Sequence, residues 1–105
     1  MKHAILAPDL RNREALEALL TEHEALGYSV VGMGNISGER LFMFKDGRQW
    51  SHQIVAVTGR KDDTLKKILL QREHEGWVVC GIGACGEATV MILKRPAPAT
   101  PAVAN

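Results

Sequence analysis

The chain has 105 residues, 46% hydrophobic and 24% charged, which suits one folded domain with a modest core and excludes a disordered chain. Thirteen basic against twelve acidic residues leave a net charge of +1, without the basic excess that phosphate binding uses, so nucleic acid is not an expected partner. No run approaches the ~18 apolar residues of a membrane span, and the apolar stretch before Pro8 is too short for a secretory signal.

The first predicted element is a short strand, about 2–7, mixing apolar and small residues. A helix follows at about 12–26, where Leu16, Leu19, Leu20 and His23 fall at i, i+3, i+4 and i+7 and form one stripe facing a sheet. Asn12 is its candidate N-cap. Gly27 stands where a helix end needs a left-handed residue, and Tyr28 after it anchors the last turn to the sheet. Strands 29–34 and 40–45 then form a hairpin around Asn35, Ser37 and Gly38.

The second half repeats this order. Displaced by 49 positions, residues 1–47 align with 50–96 without a gap and share twelve identities, where chance gives roughly three. Among them are His3/His52, Ile5/Ile54, Leu16/Leu65, Leu20/Leu69, Glu24/Glu73, Gly27/Gly76, Gly32/Gly81 and Gly34/Gly83. The predicted elements are a strand at 50–58, a helix at 62–75 capped by Asp62 or Asp63, and strands 78–83 and 89–94 around Ala84, Cys85 and Gly86. The cluster Arg60, Lys61, Lys66 and Lys67, interrupted by Asp62 and Asp63, reads as a solvated helix face. The Pro/Ala-rich tail, 97–105, is expected to be disordered.

The fold class is therefore α+β: a tandem β-α-β-β repeat in a single domain, 1–96, pseudo-twofold and related to ferredoxin-like folds. The expected assembly places the third strand of each unit between the first two. The first strands then join the units into one mostly antiparallel six-stranded sheet with both helices on one face. The hairpin strands carry apolar residues on both faces, so the second face needs a cover. Phe42, Phe44, Met91 and Leu93 are the residues expected there, and a partner subunit is the expected cover; the sheet curling on itself, or the halves packing face to face, is the other.

The stretch Glu73-His74-Glu75-Gly76-Trp77-Val78-Val79, with the closing Ile92-Leu93-Lys94-Arg95-Pro96, resembles a family of small bacterial domains of unknown function. Their helix ends in E-G-W and their last strand in F-K-R; Leu93 departs from that final Phe. The resemblance implies a β-α-β-β fold and supplies no catalytic residues.

No catalytic or metal constellation stands out, and no cofactor is expected. Gly81-Ile82-Gly83-Ala84-Cys85-Gly86 spells G-x-G-x-x-G, but a strand follows where dinucleotide binding needs a helix N-terminus. The candidate ligand-binding residues are those the repeat carries twice: His3 and His52, which open the first strands, and the glycine strips Gly32/Gly34 and Gly81/Gly83. Cys80 and Cys85 have neither metal-ligand nor redox spacing and are expected as free thiols in a cytoplasmic protein. These readings point to a non-enzymatic binding or regulatory module that acts as a homo-oligomer on a protein or small molecule. The alternative is a small enzyme or ligand-binding protein with a pocket on the pseudo-twofold axis.

Overall fold

The computed structural model describes residues 1–7 and 12–98; the expected tail beyond 98 lies outside them. The elements are β1 (His3–Leu6), α1 (Arg13–Ala25), β2 (Tyr28–Asn35), β3 (Glu39–Lys45), β4 (Trp50–Ala56), α2 (Asp62–His74), β5 (Val78–Cys85) and β6 (Ala88–Pro96). They form two separate antiparallel three-stranded sheets, ordered β1-β3-β2 and β4-β6-β5. The third strand of each unit is central, as the hairpin and crossover require. The single six-stranded sheet with both helices on one face is not formed. Instead the sheets meet through β2 and β5, and α1 touches both β2 and β4.

Local chemistry explains the helix ends. Asn12 caps α1 by accepting a 2.8 Å bond from the Ala15 amide. In α2 the N-cap is Lys61, without a side-chain bond, so Asp62 and Asp63 act in the first turn, where carboxylates favour the helix dipole. Gly27 and Gly76 sit just past the helices at φ +88° and +87°, the conformation glycine adopts without strain. The rings after them lie against the helices: Tyr28, the first residue of β2, has its ring 6.1 Å from that of His23, and Trp77 is buried with Leu65 and Ile68 packed beside it; Lys45 lies over Tyr28 and Arg95 over Trp77.

The two ladders match except for one residue. A bulge falls between Val30 and Gly32 in the first sheet and between Val79 and Gly81 in the second, positions 49 apart. The hairpin turns differ: Asn35 pairs with Glu39 across a three-residue loop, whereas Cys85 pairs with Ala88 across Gly86-Glu87. The strand register continues one residue further in the second hairpin. Ile5 therefore pairs with Phe42, but Ile54, 49 positions later, pairs with Ile92, which is 50 positions after Phe42. Superposed by their ladders, Leu41 corresponds to Met91, Met43 to Leu93, Phe44 to Lys94 and Lys45 to Arg95.

One residue of register moves a whole strand from one face to the other. Met91 and Leu93, expected on an open face, are instead buried with Trp77 and Val57 beneath α2. Leu41 and Met43 are their counterparts beneath α1. The helix-free face of the second sheet carries Ile54, Val90 and Ile92, all in the main core with Leu16, Leu20, Val30, Leu41 and Met43. On the first sheet that face carries Ile5, Phe42 and Phe44, with Ile5 65% exposed.

The register makes an opposite forecast from the gapless alignment, which pairs Phe44 with Leu93. Leu93→Ala, at 0% exposure, costs about 2–5 kcal/mol in urea unfolding. Phe44→Ala, on the half-exposed face, costs clearly less. Equal losses would contradict the register.

Candidate functional site: the seam between the two units

The helix-free face of the second sheet closes over the groove between α1 and β2, and polar groups gather at one end of this seam. The His52 imidazole is 1% exposed and lies 2.8 Å through Nδ1 from Oε2 of Glu24, near the end of α1. The same carboxylate oxygen accepts from the His52 amide at 2.6 Å. On the other side of the ring, Nε2 accepts from the Val30 amide at 3.1 Å. An acceptor at Nε2 fixes the neutral tautomer with its proton on Nδ1, donated to Glu24. Lys94 lies beside this group, donates to the Ser29 hydroxyl at 3.1 Å and sits over the Trp50 ring. Arg13 donates from the far end of the seam to the Ile54 carbonyl.

Burial pushes the His52 pKa below its usual value, and the Lys94 charge adds to that; Glu24 opposes it without reversing it. Protonating Nε2 would also cost the bond from Val30. The seam is thus a satisfied polar cluster that fixes how the units dock.

The six expected ligand-binding residues are not brought to one place. His52 is locked in the seam, whereas His3 is exposed on the first sheet's open face with its ring 4.8 Å from Phe44. Gly81 and Gly83 face the first unit: a Cβ on Gly81 would stand 3.2 Å from the Met33 Cβ, and one on Gly83 would stand 2.6 Å from the Met33 methyl. This strip is smooth because another side chain lies on it. Gly32 and Gly34 have nothing among the described residues within 4 Å of such a Cβ. Of the expected interface residues, Phe42 and Phe44 are half-buried on the open face, and Met91 and Leu93 are core.

A groove of about 450 Å³ runs between α2 and β5, lined by Leu65, Leu69, Val79, Ile82 and Met91, with Arg60 at its end. It was not foreseen from the sequence, where Leu65, Ile68, Leu69 and Arg72 fall at i, i+3, i+4 and i+7 and form a stripe expected to face a sheet. None of the α2 side chains is buried, and Leu69 is 36% exposed. Among the described residues no three His, Cys, Asp or Glu side chains converge as metal ligands. Cys80 is free, its thiol pushed up to about 12 by burial, and Cys85 is free and shifted upward for the same reason.

No family model, curated protein or solved structure matches the chain. Among the described residues no helix is long and apolar enough to cross a membrane.

Two measurements probe the seam. With the His52 pKa depressed, the unfolded chain holds more protons than the fold from that value up to the ordinary 6.5, so stability rises with pH there and is lost as pH falls. The melting temperature drops between about pH 7 and about pH 5, and His52→Gln flattens that slope; parallel slopes would place the titration elsewhere. Thiol titration at neutral pH finds both cysteines unreactive in the native protein and reactive in urea, because only the thiolate attacks.

Proposed function

We propose that this protein is a non-enzymatic binding module that works as a homo-oligomer, built from two copies of one β-α-β-β unit. The matching strand order, the bulges 49 positions apart and the paired glycines at both helix ends support the duplication. On that reading the family resemblance extends to both units, and a relation to ferredoxin-like folds belongs to the single unit.

One observation carries the oligomer: the described residues leave two apolar surfaces open, the first sheet's helix-free face with exposed Ile5 and half-buried Phe42, and the α2–β5 groove. Contiguous apolar surface of this kind marks an interaction site on a water-exposed protein. Among the described residues, neither surface brings polar groups together as orienting a reacting substrate requires. The alternative, a pocket on a pseudo-twofold axis near both histidines, draws no support from their placement, one buried in the seam and one on an open face.

Native mass spectrometry and light scattering of the full chain test the reading. The expected result is a defined oligomer at micromolar concentration. A monomer that persists at high concentration would overturn it.

A further inference from the structure

We propose that a second copy of this chain docks its open first-sheet face into the α2–β5 groove, repeating between chains the contact that joins the two units within one. The proposal deepens the homo-oligomer reading and rests on it and on the two units being copies.

The chain contains its own template for this contact. Within the molecule, the helix-free face of the second sheet presents Ile54, Ile92, His52 and the Gly81/Gly83 strip. The first unit receives it with Leu16, Leu20, Val30 and Met33. The counterparts are Ile5 and His3, both exposed, and Phe42 and Gly32/Gly34, half-buried, while Arg40 stands where Val90 does, at the hairpin end of the face. The receiving side has counterparts too, in Leu65, Leu69, Val79 and Ile82, four of the residues that line the groove.

Burial tracks this pairing. Ile54 is 4% exposed and Ile5 is 65%; Leu20 is 3% exposed and Leu69 is 36%. Met33 lies on Gly81 and Gly83, while its counterpart Ile82 is 54% exposed and the Gly32/Gly34 strip is bare among the described residues. Placed as Met33 is, Ile82 of one copy fills the strip of the next.

The polar element recurs as well. Glu24 grips His52 within the chain, and Glu73 and His3, both exposed, are the remaining members of the same two identical pairs. Where the template has Lys94 bonded to Ser29, the contact between copies has Phe44 against Val78, itself 62% exposed. That exchange makes the second contact more apolar. One bond is not reproduced: Arg13 reaches the Ile54 carbonyl, and its counterpart is Asp62.

The two surfaces differ, so the contact is head-to-tail, and each chain keeps one free face and one free groove until the assembly closes. A mixing experiment reads this. Ile5→Asp spoils only the face, and Ile82→Asp, with Leu69→Glu as a second groove variant, spoils only the groove. All three positions are exposed in the single chain, and circular dichroism checks that each variant is folded. Each variant alone is expected to weaken assembly by at least ~30-fold, the loss typical of a central interface residue. An equimolar mixture of a face variant and a groove variant forms a one-to-one heterodimer in native mass spectrometry, because each supplies the surface the other lacks. If wild type assembles but the groove variants assemble equally well, or the mixture stays monomeric, the head-to-tail contact is overturned while the homo-oligomer stands. A monomeric wild type overturns both.

Discussion

The packing of Ile54, Val90 and Ile92 against Leu16, Leu20 and Val30 is the contact on which the remaining structure depends. A three-stranded sheet with one helix, about 45 residues, buries only a small part of its surface by itself and is marginal in size for a stable core. The second sheet supplies the missing layer to the first unit, and the result is a core in which residues of both sheets and α1 are nearly inaccessible to water. Apolar packing alone would tolerate sliding. The Glu24–His52–Val30 cluster does not, because a shift would leave a buried imidazole, a carboxylate and an amide unpaired together.

Much of this was legible in the sequence, for local reasons. The 3.6-residue stripe located both helices, Asn12 and the two glycines marked their ends, and the turn residues between apolar runs located the hairpins. Each unit's strand order followed from the simplest hairpin and crossover. What escaped was set by a single residue. Gly86-Glu87 closes the second hairpin where the first uses three residues, and a gapless alignment cannot register that change. It kept Leu93 opposite Phe44, whereas the ladder sets Lys94 there, and so it exchanged the core and open faces of β6.

How the units join was less legible still. Sequence spacing says nothing about contacts between residues 28 apart, such as Glu24 and His52. A signal existed: a carboxylate and an imidazole both recur at a 49-residue interval. Read singly, Glu24 was one identity among twelve and His52 a residue opening a strand. Read together, Glu24 and His52 mark the interface within the chain. The glycine strips carried the same message, since glycine in a strand marks close approach; what approaches Gly81 and Gly83 is Met33 of the other unit.

The units are alike in sequence but unlike in environment, and the difference has a direction. The first unit's helix and groove are covered and its sheet face is bare; the second unit's sheet face is covered and its groove is bare. Two copies related by a twofold axis would bury equivalent surfaces equally. Burial of one face type against one groove type is instead the mark of a contact between unlike surfaces, which satisfies one of each and leaves one of each. Ile5, Leu69 and Ile82 are the apolar residues this arrangement leaves exposed, and the proposed contact between copies would bury them for the same physical cause as the contact within the chain: a helix-free sheet face covering the flank of a helix.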